Sequence, residues 1–148
     1  MPFFRQEEHQ CGSAALATVV NYWYKRGNTG RRFLLQEAIA STYSPSARGV
    51  LGIDLEIYAK KLGFEGEGQA STIDDIRNSV DDGIPVIILV DYGFWVYQRN
   101  HFMVVTGYSP DTVIVNSGRS ENVVISNEDL RKIWRKTGYW SLIIKPSS

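Results

Sequence analysis

The chain carries one cysteine, Cys11, and two histidines, His9 and His101. Cys11 stands directly before GSAALATVVNYWYK, a run rich in Ala and apolar residues that closes at Gly27, Asn28 and Gly30. That pattern predicts a buried helix with the thiol at its entrance. A thiol in the first turn of a helix meets unpaired backbone N–H groups and the positive end of the macrodipole, both of which favour thiolate. Beside an imidazole, such a thiolate is a nucleophile with its base. Gly12, Ser13 and the Ala14-Ala15 pair are small enough for a second segment to approach the helix start closely. Each residue alone has a plainer reading: a lone cysteine packs as a small hydrophobe, and a histidine at a strand edge is satisfied by a carbonyl. The chemistry requires the two together. His9 lies on the same short entry segment as Cys11, is poorly placed to face the sulfur, and reads as a surface residue.

The elements that must position this pair follow from pattern. A second helix is expected over residues 32–42, followed by a polar loop with Ser44, Pro45, Ser46 and Gly49 that could flank a cleft. Ile53, Ile57, Tyr58 and Leu62 have helical spacing, ended by Gly63, before an extended stretch from Phe64 to Gln69. Thr72-Ile73-Asp74-Asp75 matches a capped helix start, and Gly83 with Pro85 ends that helix before the β-branched run Val86 to Val90. Further strands are expected over 102–106, 113–115 and 122–125, with His101 at the start of the first. Ser126-Asn127-Glu128-Asp129 reads as another cap, with Leu130, Ile133 and Trp134 on one face, and a last strand runs from Tyr139 to Ile144. Helices come first and strands later, the order of an α+β domain with helices packed on a mostly antiparallel sheet.

Bulk properties narrow the function classes. With 148 residues, 43% hydrophobic and 22% charged, the chain fits one domain over residues 1–148 with its own core. Sixteen basic residues balance sixteen acidic ones, leaving no net field to draw it onto nucleic acid or an anionic membrane. One cysteine excludes an internal disulfide, and the histidines and cysteine show no ligand spacing, so neither a metal nor another cofactor is expected. The run Ile84 to Val90 is far shorter than the roughly 20 residues of a membrane helix. No signal peptide precedes Pro2-Phe3-Phe4, although an upstream export segment would be compatible with so early a motif.

Two motifs carry a resemblance. Pro2-Phe3-Phe4-Arg5-Gln6 followed by Gln10-Cys11-Gly12-Ser13-Ala14-Ala15-Leu16-Ala17 resembles the first signature of the C39-like peptidases, the bacteriocin-processing branch of the papain-like cysteine peptidases. His101-Phe102-Met103-Val104-Val105-Thr106-Gly107-Tyr108 resembles the second. They occur in the family's order, 101 − 11 = 90 residues apart, and the resemblance extends through the strand of Trp140.

The resemblance implies a papain-like fold and a thiol peptidase in which Cys11 attacks a carbonyl and His101 relays its proton. It implies that Gln6, with the Cys11 backbone N–H, forms the oxyanion hole, ahead of Gln10. It also implies a peptide or protein substrate, cut after small residues such as Gly-Gly, and the possibility of further domains in a bacterial protein, cytoplasmic or exported. The sequence departs from the family at the third residue, where an aspartate usually closes the strand after the histidine strand. Here that strand ends Val115-Asn116-Ser117-Gly118. Asn116 can accept the His101 N–H and is assigned that role. An ungapped comparison instead sets Ser117 opposite the family aspartate, only one of the two can face His101, and Asp111 in a turn is a distant third. Tyr92, Phe94, Trp95 and Tyr97 could wall a peptide groove or pack in the core, whereas Trp23, Trp134 and Trp140 read as packing. An inactive peptide-binding domain and an acyl or peptidyl transferase using the same Cys–His pair are the competing readings.

Overall fold

The computed structural model describes residues 11–27, 52–92, 100–117 and 120–146. The helix expected over residues 32–42 and the polar loop after it lie outside them. The first helix, α1 (Cys11–Arg26), is buried from Ala14 to Asn21 without interruption, so it has no solvent face along that stretch. Its small residues at 14, 15 and 17 leave room for neighbours on several sides, while Leu16, Val19 and Val20 are fully buried. Each of those three contributes about 1.5–3 kcal/mol through removal from water.

Helix α2 (Gly52–Lys61) packs against α1 and leads into two short strands, β1 (Phe64–Glu65) and β2 (Gly68–Ala70). Helix α3 (Ile73–Asp81) starts as its sequence predicts. The Thr72 hydroxyl accepts the Asp75 N–H, and the Asp75 carboxylate accepts the Thr72 N–H. This reciprocal cap satisfies two otherwise open donors and contributes about 1 kcal/mol. Gly83 then turns the chain with φ +74°, where a side chain would be strained and a Cβ would also fall 2.6 Å from the Arg26 guanidinium.

The later strands are β3 (Val86–Asp91), β4 (Asn100–Ser109), β5 (Thr112–Ser117), β6 (Ser120–Ser126), β7 (Trp140–Ile143) and β8 (Lys145–Pro146). Helix α4 (Asn127–Arg135), capped by the Ser126 hydroxyl accepting the Asp129 N–H, separates β6 from β7. Six strands form one sheet in the order β2-β7-β3-β4-β5-β6, and every pair among them is antiparallel. β1 pairs separately with β8. The expected class, helices on an antiparallel sheet, is the one observed. Strand β4 is longer than its apolar run because a bulge between Val105 and Gly107 lets pairing with β5 continue to Ser109.

Alternation along the strands divides the core in two. Ile87, Phe102, Val104 and Leu142 pack under α1 and α2, whereas Val86, Ile88, Val90, Met103 and Val105 pack under α3 and α4 with Ile76, Leu130 and Trp134. The tryptophans expected to be structural are so. Trp134 is fully buried and donates to the Trp140 carbonyl at 2.9 Å, Trp23 donates to the Ile144 carbonyl at 2.8 Å, and Trp140 meets Phe102 edge-on at 5.8 Å. Gly68 permits that last arrangement, since a Cβ there would lie 2.6 Å from the Trp140 indole nitrogen.

Candidate active site

Cys11 is the first residue of α1. The far end of this helix is tied down at the start of β3. Tyr22 donates to the Gly83 carbonyl at 2.7 Å, and Arg26 donates to the same oxygen at 3.0 Å. From that anchor α1 runs back over the sheet and packs on β4. α1 and β4 share one buried cluster, which holds Ala15, Leu16 and Ala17, a turn or so past Cys11, together with Phe102, the neighbour of His101.

Val90 is the register partner of His101. The strand that bears the imidazole is thus the one on which the thiol-bearing helix packs. Alternation sets His101 with Val90 and Met103 on the α3 and α4 side, while α1 covers the other. His101 is the second residue of β4.

The Tyr92 ring lies 6.0 Å from the His101 ring at 49°, and the Tyr92 hydroxyl donates to the Met103 sulfur at 3.6 Å. Burial pushes the His101 imidazole below the usual histidine range. It is therefore neutral near pH 7, the state a general base requires.

The register of β5 bears on the orienting residue. Asn116 pairs with Val104 and Ser117 pairs with Met103. Position 117 thus shares the His101 face, two register positions away, a diagonal of about 7–8 Å between Cα atoms. Position 116 has the opposite parity. The Asn116 side chain is buried at 8% exposure, and its amide oxygen accepts the Asn122 N–H at 3.2 Å, across an irregularity in the β5–β6 pairing. The structure does not bring Asn116 and His101 together on one face. Asp111 is excluded as well, since it lies in the β4–β5 turn, ten residues and about 30 Å of strand from His101.

Asp91, which no motif marks, is buried at the same end of the sheet, paired with Asn100 and opposite in parity to Val90. Its only signal in sequence is a charge closing a β-branched run. Gln6, His9, Phe94, Trp95 and Tyr97 lie outside the described residues. Among the described residues there is no group of three or more His, Cys, Asp or Glu that could hold a metal ion, and no helix long and apolar enough to cross a membrane.

The chain is similar to the peptidase domain of Streptococcus ComA, a bifunctional ABC transporter of a quorum-sensing pathway, with a TM-score of 0.75 and 22% identity covering 98% of this chain and 97% of that one. A double-glycine-motif protease from an AMS/PCAT transporter, solved with its leader peptide, gives a TM-score of 0.75 and 25% identity over 99% of this chain and 91% of that one. A C39-like peptidase from Bacillus anthracis gives 0.78 at 17% identity, covering 99% and 95%. No curated protein sequence matches. The profile of the Peptidase_C39 like family matches residues 1–142, and with both motifs inside that span the chain belongs to this family of peptidases.

Proposed function

We propose that the protein is a cysteine peptidase acting within one domain, with Cys11 as nucleophile and His101 as its base. The observation that supports this reading is the packing of α1, which begins at Cys11, on β4, whose second residue is His101. The Cys11 thiol gives its proton to His101 and its sulfur forms a bond to the scissile carbonyl carbon, moving an electron pair onto the oxygen. Gln6 and the backbone N–H of Cys11 stabilise that oxyanion, and loss of one such donor typically costs about 3–4 kcal/mol. His101 returns the proton to the departing amine, the carbon–nitrogen bond breaks, and water hydrolyses the thioester. Position 117, rather than 116, is the third member, with Ser117 in the place of a carboxylate.

The substrate we favour is a peptide with a small-residue cleavage site of the double-glycine kind. The similarity to a double-glycine-motif protease in complex with a leader peptide supports it. The test is alkylation of Cys11 by iodoacetamide from pH 4 to 9 in the wild type and in His101→Ala, beside cleavage of a double-glycine leader peptide. The expected result is a low-pH shoulder of thiolate reactivity that disappears in the variant, with cleavage lost in parallel. Reactivity matching a free thiol in both proteins, without cleavage, would sink the peptidase reading and leave a peptide-binding domain.

A further inference from the structure

Tyr92 is the described residue at this end of the sheet whose placement the peptidase chemistry does not yet use. Its position is unusual for a large aromatic: it follows the last residue of β3 and is 47% exposed, while its ring still packs against a half-buried histidine. Two contacts fix the ring. One is the tilted contact with His101 at 6.0 Å, and the other is the hydroxyl bond to the Met103 sulfur at 3.6 Å. Met103 is fully buried and shares the face of His101, so the tyrosine hydroxyl reaches past the imidazole and is held by a rigid part of the core. The ring is then pinned along the side of the imidazole while the residue stays half-exposed.

We propose that Tyr92 is a positioning residue for His101, a tethered aromatic wall that holds the imidazole in its working orientation and keeps water from one side of it. This inference rests on His101 being the base of the peptidase. The need for such a wall follows from position 117. A family carboxylate would both orient the imidazole by a hydrogen bond and hold its charged form. A serine at that position offers a weaker acceptor than a carboxylate, and packing against the ring supplements hydrogen bonding in fixing the imidazole. A ring in contact supplies it at little entropic cost, because tyrosine has only two side-chain torsions to lose.

The groups around His101 are consistent with burial as the cause of its lowered pKa. On β3, Asp91 has the opposite parity. On β5, Asn116 and Ser117 do not titrate in this range. Past the end of α4, the Thr137 hydroxyl donates to the Leu89 carbonyl at 2.6 Å. Removing the ring would admit water and let the imidazole pKa return toward the ordinary histidine value.

The experiment compares wild type, Tyr92→Phe, Tyr92→Leu and Tyr92→Ala by NMR titration of the histidine ring protons and by the pH profile of kcat/KM for peptide cleavage. With two histidines in the chain, a His9→Gln background assigns the His101 signal. The expected result is a His101 pKa raised in Tyr92→Ala, with kcat/KM down roughly ten- to a hundredfold through kcat and the acidic limb of the profile moved upward by the same amount. Tyr92→Phe, which keeps the ring, should restore most of both, and Tyr92→Leu should fall between. An unchanged His101 titration in Tyr92→Ala overturns the proposal even if cleavage falls, because the ring would then act on the substrate. A moved titration with unchanged kcat/KM overturns the positioning role equally. If the wild type itself cleaves nothing and its thiol is inert, the peptidase reading has failed, and the NMR titration still reads whether Tyr92 holds the imidazole.

Discussion

Two of the helices, α3 and α4, and the helix that carries Cys11 begin in different ways. α3 and α4 start with hydroxyl caps, Thr72 and Ser126, and each has two acids in its first turn, Asp74 with Asp75 and Glu128 with Asp129. Their open N–H donors and positive dipole ends are thereby met from within the helix. α1 has no acid in its first turn, where the residues are Cys11, Gly12, Ser13 and Ala14. The first two helices use their N-termini for stability. In the proposed reaction the third lends that electrostatic capacity to a thiolate and to an oxyanion. An N-terminus can serve folding or chemistry, and the proposed reaction divides the two tasks between helices.

The contrast can be broken at several points. His101→Ala should lower peptide cleavage by at least about a thousandfold with little change in melting temperature, measured by steady-state kinetics and thermal unfolding. Asn116→Ala should do the reverse. It leaves the Asn122 N–H without its acceptor and should cost about 1–3 kcal/mol of stability in urea unfolding. Ser117→Ala should be the more damaging of the two to turnover, and the opposite ranking would return the orienting role to Asn116.

Thr72→Ala and Ser126→Ala should each cost about 1 kcal/mol of stability and leave Cys11 alkylation unchanged. Ser13→Asp, which gives α1 the acid that the other helices have, should slow alkylation about two- to fivefold while adding about 0.3–1 kcal/mol to helix stability. A faster thiol in that variant would remove the basis of the contrast. The smallest effect concerns pH. Because burial holds His101 below its unfolded pKa, the unfolded chain binds the extra proton first as pH falls. Its contribution to stability is therefore full above the unfolded histidine value and is lost as pH drops through the folded one. His101→Gln should flatten that part of the stability profile.

Much of this was legible in sequence because the signals were local. The Thr72 and Ser126 caps, the Val86 to Val90 strand and the placement of Cys11 ahead of an Ala-rich helix each depend on residues a few positions apart. The third site residue was not legible, because choosing between Asn116 and Ser117 requires the register of β5 against β4. That pairing shifts between Val105 and Gly107, and the β5–β6 pairing shifts again between Val115 and Ser117. A one-residue error in such counting moves a side chain to the other face. The Tyr92 contact was half legible: its aromatic character was evident, but the ring's neighbour became clear only when Val90 was paired with His101. The central position of β7 had no sequence signal, since its partners β2 and β3 are more than fifty residues away.

That position of β7 bears on how the protein is made. β7 sits between β2 and β3, so the strand that supports β3, and through it the His101 register, leaves the ribosome after both of its partners. Until residues 140–143 emerge, β3 lacks one neighbour, and β2 has none at all within the sheet. A nascent chain stopped before Trp140 would carry both Cys11 and His101 on an unfinished sheet. Long-range closure of this kind is slow relative to local folding. A domain built this way completes the support of β3, and with it the register that places His101, only once β7 has been made.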